Sequence, residues 1–322
     1  MKIAKTLGAA LLCLGLLTGC TGQGVQATPR NITLVAKSTE TEFWKSVFAG
    51  ARAAASEYNV NLNIVGPETE EDYETQNALI EDAVAQGAEA LVFSAISYTE
   101  NAPAIDAAAE AGVKIAVIDS DVDSQAVGVR IGTDNVEAGR MTAQAALAAR
   151  EDRLVLGLIN YDLGSRNGQE REQGLREELA RSDRVGEIYT LNVLAEVGDA
   201  REKTMELLRA HPEINVVVGF NEPTAVGAAQ AVDRLGLGGT VDVVGFDSNV
   251  ETVDLMQTGV VSALIVQNPY AMGYLGVEAA CDLLGGETFD PEALLDTATQ
   301  IVTRENMFSL EGQKALFPFD TP

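Results

Sequence analysis

The sequence predicts an α/β protein whose parallel strands carry helices on both faces, built in two domains. From residue 31 onward, short β-branched runs alternate with Ala-rich segments of helical spacing, the pattern of repeated strand–helix–strand units. The 322 residues, about 300 after a leader is removed, exceed what one hydrophobic core ordinarily serves. An apolar content of 46% is enough to fill two cores.

Taken in order, the β-branched runs place strands over residues 32–37, 61–65, 90–94, 114–118, 127–131, 154–160, 186–191, 215–219, 241–245, 261–266 and 299–302. Between them the helical spacing places helices over 43–58, 73–86, 101–111, 135–150, 169–181, 201–210, 223–235, 250–258 and 271–284. In open sheets of this kind ligands bind beyond the carboxyl ends of the strands, and polar residues interrupt the pattern mostly there. Lys37 closes the first strand, Ser94 the third, Asp119-Ser120-Asp121 the fourth and Asn160 the sixth. Phe220-Asn221-Glu222, Phe246-Asp247 and Gln267-Asn268 close the eighth, ninth and tenth. Singly, Asp119, Asn221 and Asp247 read equally well as helix N-caps. As a set they favour a ligand site.

Charge and motifs exclude several functions. The chain carries 22 Lys+Arg against 48 Asp+Glu, and losing Lys2 and Lys5 with the leader takes the net charge from −26 to −28. Phosphate backbones are repelled, so nucleic acid is not a partner. The single His211 offers neither a metal cluster nor a histidine-based triad. Gly-x-Gly-x-x-Gly after a strand, the phosphate-binding loop and the Gly-x-Ser-x-Gly elbow are all missing, and Gly236-Leu237-Gly238-Gly239 precedes a strand. No cofactor, metal or enzymatic reaction centre is expected.

The chain opens with Lys2 and Lys5, an apolar run over residues 7–17 and a small-residue exit, the form of a secretory signal too short to span a bilayer. Leu17-Thr18-Gly19-Cys20 resembles the lipobox of bacterial lipoproteins, which implies a signal peptide over 1–19 and a lipid on Cys20. Residues 20–30 then read as a linker. Cys13 leaves with the signal, so Cys281 has no partner for an internal disulfide.

Six ordered stretches carry a family resemblance: Ile118-Asp119-Ser120-Asp121, residues 131–139 (IGTDNVEAG), Arg171-Glu172-Gln173-Gly174-Leu175, Gly219-Phe220-Asn221-Glu222, residues 243–247 (VVGFD) and Gln267-Asn268-Pro269-Tyr270. In order and spacing they resemble the ribose-binding-protein family, the sugar-type solute-binding proteins of ABC importers. The resemblance implies two doubly wound parallel-sheet lobes joined by three crossovers, the periplasmic binding protein type 1 arrangement, with the ligand in the cleft between them. By it the N-terminal lobe is 31–133 plus 268–291 and the C-terminal lobe 134–267 plus 292–304. The tail, 305–322, has no clear counterpart.

Carried over residue by residue, the resemblance makes Phe43 and Trp44 the aromatic pair that packs on a sugar ring, where a flat face suits C–H surfaces. It makes Asp119 and Asp247 acceptors of sugar hydroxyls. Arg171 becomes a guanidinium donor, with Arg166 as a possible substitute. Asn221 and Gln267 supply amides, and Thr41 a smaller polar contact. Ser120 stands where ribose binders have an arginine, and Lys37 where they have a small hydroxyl residue. This combination looks more like the branch that binds autoinducer-2, rhamnose and related polyols. Lys37 also suits an anionic ligand, or is a solvated strand end.

The expected function is therefore an extracytoplasmic lipoprotein that captures a sugar or polyol. It would act as a monomer, be tethered through Cys20 at the outer face of the cytoplasmic membrane or in the periplasm, and deliver solute to a permease with a separate ATPase. Closure would hinge near Thr133, Gln267 and Glu292. The alternatives are a sensor presenting the solute to a membrane receptor, a regulator of the lactose-repressor type, and an extracellular enzyme. The second lacks a basic helix-turn-helix before Asn31, and the third an activated nucleophile.

Overall fold

The computed structural model describes residues 28–290 and 292–317. The expected signal peptide, Cys20 and most of the linker lie outside the described residues.

The first sheet is built from β1 (Arg30–Val35), β2 (Val60–Val65), β3 (Ala90–Phe93), β4 (Lys114–Ile118), β5 (Val129–Gly132) and β11 (Leu294–Asp296), in the order β11-β5-β4-β3-β1-β2. Every pairing in it is parallel. The second is built from β6 (Leu154–Asn160), β7 (Val185–Asn192), β8 (Val216–Gly219), β9 (Asp242–Phe246), β10 (Val261–Val266) and β12 (Gln300–Thr303), in the order β12-β10-β9-β8-β6-β7. Here only β12 runs antiparallel to its neighbour.

The strands are apolar throughout because helices cover both faces. In β3, Ala90 and Val92 join one core while Leu91 and Phe93 join the other. Around the first sheet lie α1 (Glu42–Glu57), α2 (Tyr73–Ala85), α3 (Ala102–Glu110) and α9 (Pro269–Gly285). Around the second lie α4 (Asn135–Ala149), α5 (Arg166–Leu179), α6 (Val197–Ala210), α7 (Glu222–Arg234), α8 (Val250–Thr258) and α10 (Leu310–Leu316). Side-chain caps start many of them: Thr41 for α1, Asp134 for α4, and Asn221 and Asn249, each in a reciprocal capping box, for α7 and α8.

The chain crosses between the sheets after β5, after β10 and between β11 and β12. The crossovers touch: Thr133 Oγ1 donates to Gln267 Oε1 at 3.0 Å, and Thr299 Oγ1 lies 3.4 Å from Thr133 Oγ1.

This corrects one expectation. The segment 292–304 does not belong wholly to the second lobe, because Leu294–Asp296 pairs in parallel with Arg130–Gly132 of the first sheet. The third crossover therefore falls at residues 297–299 and not at Glu292. The tail also has a place in the fold: Met307 and Leu316 are buried in the core between the second sheet, α6 and α7.

Candidate functional site

Nine of the ten residues expected to bind a ligand line one cavity between the lobes: Lys37, Thr41, Phe43, Trp44, Asp119, Arg171, Asn221, Asp247 and Gln267. It encloses about 290 Å³ of atom-free space, part of it continuous with solvent. The strand-end rule explains the gathering. Lys37 follows β1, Asp119 follows β4, Asn221 follows β8, Asp247 follows β9 and Gln267 follows β10, so both sheets aim their carboxyl ends at one cleft.

Ser120 is the exception. It is fully buried but does not line the cavity, and its Oγ has no hydrogen-bond partner. Asp119 adopts φ 58°, and its neighbour's backbone N–H turns to Ser94 Oγ. Arg166 lies outside the cavity too, paired with Glu170 and stacked over Tyr98 at 4.9 Å. Arg171 is the guanidinium that reaches it.

The polar groups hold one another in place. Asp119 accepts from Ser94 Oγ at 2.9 Å and, across the cleft, from Asn167 Nδ2 at 3.0 Å. Asp247 accepts from Gln267 Nε2 at 2.8 Å. Neither carboxylate caps a helix. Asn221 does, through Oδ1 to Thr224, and its buried Nδ2 has no protein partner. Capping and an available donor are thus combined in one side chain. Arg171 donates to Asn135 Oδ1, Phe220 O and Gln267 Oε1, and its guanidinium lies 4.4 Å from the Phe246 ring centre.

Lys37 is not a solvated strand end, being 1% exposed. It lies 3.4 Å from Glu70, donates to Ser165 Oγ at 2.8 Å and sits over the Tyr161 ring. Glu70 also accepts from Trp44 Nε1 at 2.9 Å. Burial works against the Lys37 ammonium, but Glu70, Tyr161 and Asp119 outweigh it and raise the pKa. Burial likewise raises the Asp119 carboxyl, opposed by Lys37 and Arg171, and pushes Asp247 up to about 7, opposed by Arg171 and the Gln267 amide. Trp44 meets Phe43 edge to face, with ring centres 5.2 Å apart.

Sequence reasoning missed Glu70, Tyr161, Asn167, Glu222 and Pro223, which complete the lining. Glu70 sits in an acidic loop that reads as solvated surface. Glu222 follows Asn221 in a stretch already singled out, so its position was the available signal.

Comparison with known proteins follows the same lines. The family described as periplasmic binding protein domain matches residues 32–288. A D-ribose/D-allose-binding protein of Pseudomonas aeruginosa is 27% identical over 311 residues, covering 91% of this chain and 97% of that one. A ribose import binding protein of Bacillus subtilis is 28% identical over 291 residues, 86% of this chain and 92% of that one. A carbohydrate transporter solute-binding protein from Agrobacterium radiobacter, solved in complex with D-arabinose, superposes with a TM-score of 0.86 at 28% identity, covering 90% of this chain and 99% of that chain.

Proposed function

The chain belongs to the periplasmic binding protein family, in its ribose-binding-protein-like branch, and from that premise we propose that it captures a sugar or polyol between its lobes and hands it to an ABC importer. The observation that carries this is the pairing of Asp119 and Asp247, one from each lobe, around a single cavity with the unpartnered Nδ2 of Asn221. Two carboxylates accept hydroxyl protons from a polyol held between them, the amide donates to a ring or hydroxyl oxygen, and the Trp44 and Phe43 rings cover C–H surface. Relatives named for ribose and allose, and a structural neighbour holding D-arabinose, support the ligand class.

Binding and closure are one event in this reading. Asp119 is bonded to Asn167 and Lys37 to Ser165 across the cleft, so separating the lobes breaks bonds that line the site. A sugar contacting both lobes stabilises the closed form, which a permease then recognises, while a separate ATPase supplies the energy. We further propose that residues 1–19 direct export and that a lipid on Cys20 tethers the mature chain outside the cytoplasm.

A thermal-shift panel of pentoses, hexoses, polyols, autoinducer-2 and sugar acids tests the ligand class. A solute at a hundred times its Kd stabilises by about 2.7 kcal/mol. Asp119→Ala and Asp247→Ala should each weaken the responding solute roughly a hundredfold, since each removes hydrogen bonds to a charged group. A response that survives both substitutions defeats the assignment. Radiolabelled palmitate incorporated into the wild type and lost in Cys20→Ala tests the tether.

A further inference from the structure

The first turn of a helix leaves N–H groups without intrahelical acceptors. In α1, Thr41 Oγ1 takes only the N–H of Trp44, at 3.3 Å. The N–H groups of Phe43 and Glu42 donate instead across the cleft, to Glu222 Oε2 at 2.9 Å and Oε1 at 3.4 Å. Glu222 is the first residue of α7 in the other lobe and is 8% exposed. Asn249, the N-cap of α8, holds the same carboxylate through Nδ2 at 3.2 Å.

We propose that Glu222 is a closure latch, which completes the N-cap of α1 from the opposite lobe and thereby holds the closed form through protein atoms alone. The proposal rests on the reading that the lobes close around a solute. When they part, two amides of α1 lose their acceptor and the carboxylate returns to water. When they meet, a negative charge lies at the positive end of α1 and is shielded from solvent. The residues whose amides it takes include Phe43, and Trp44 follows directly, so the latch also fixes the aromatic wall. The charged groups facing it are Glu42 and Lys45 of α1, which pair with each other, and Asp247 after β9.

Two variants test this. Glu222→Gln keeps the shape and removes the charge. Asn249→Asp keeps the α8 cap, because Asp caps as well as Asn, but exchanges the Nδ2 donor for a second carboxylate. In sugar-free protein, small-angle scattering should show both variants more expanded than wild type, and hydrogen exchange at the Phe43 amide should be faster. Identical scattering and exchange in all three proteins would overturn the latch. Trp44, the single tryptophan, reports binding of D-ribose, D-allose and D-arabinose by fluorescence. Glu222→Gln should raise Kd roughly tenfold for each sugar that binds, by a common factor. A change confined to one sugar would make Glu222 a sugar contact and not a latch. If no sugar titrates the wild type, it is the proposed ligand class that fails, and the sugar-free arm still decides the latch.

Discussion

In the first lobe β4 runs out into Asp119 at φ 58°, and in the second β9 runs out into Asp247 at φ 63°. Both are non-glycine residues in the left-handed region, where Asp is among the few residues tolerated. The sheets share one strand order, and each lobe packs its paired cleft helices through reciprocal glycines, Gly50 with Gly273 between α1 and α9, and Gly139 with Gly174 between α4 and α5. The charges differ. The first lobe pairs its cation, Lys37, with a carboxylate, Glu70, whereas the second gives Arg171 neutral oxygens and an aromatic face. The same backbone device was built twice, and the ionic surroundings were then set separately. Asp119 has Lys37 beside it as well as Arg171, while Asp247 relies on Arg171 and one amide.

The sharpest way to break this comparison is to remove each cation. Lys37→Met leaves the buried Glu70 without its cation, and Arg171→Ala takes the guanidinium donor from Asn135 Oδ1 and Phe220 O and the counter-charge from Asp247. Each should cost about 3–5 kcal/mol in urea unfolding of the sugar-free protein. Adding Glu70→Gln should restore much of the Lys37→Met loss. If it restores nothing, the first lobe's charge is not held as a pair.

The glycine contacts test the shared part of the design. A Cβ on Gly50 would collide with the Tyr270 carbonyl oxygen, and one on Gly139 with that of Arg171. Gly50→Ala and Gly139→Ala should each cost about 1–3 kcal/mol, and by similar amounts. A large cost in one lobe with none in the other would show that the repeat is not energetic.

A third test is in pH. Asp247 titrates near 7 when folded, above its unfolded value, so between the two the folded chain holds a proton that the unfolded chain has lost. Stability of the sugar-free protein should therefore fall as pH rises from about 4 to 7, and Asp119 and Glu222, also raised by burial, act in the same direction. Asp247→Asn should flatten that melting profile. An unaltered profile would mean that Asp247 is not the outlier.

Much of this was legible in the chain. Eleven of the strands follow β-branched runs, and polar residues at their ends marked the cleft. β11 was not legible: three exposed residues, Leu294–Asp296, have no burial to impose a pattern, and only pairing with β5 makes them a strand. α10 was missed for its brevity. Ser120 was placed in the site by analogy, but φ 58° at the preceding residue buries it elsewhere.

Local periodicity and strand-end chemistry determined the α/β class and marked Lys37, Asp119, Asn221, Asp247 and Gln267, because side-chain period and burial on both faces are written in neighbouring positions, while Thr41, Phe43, Trp44 and Arg171 came from the family resemblance. The tertiary structure alone decided that Glu70 neutralises Lys37, that Asn167 reaches Asp119 from the other lobe and that Glu222 caps α1. Those partners lie far apart in sequence, and only the meeting of two lobes over one cleft brings them within a hydrogen bond's reach.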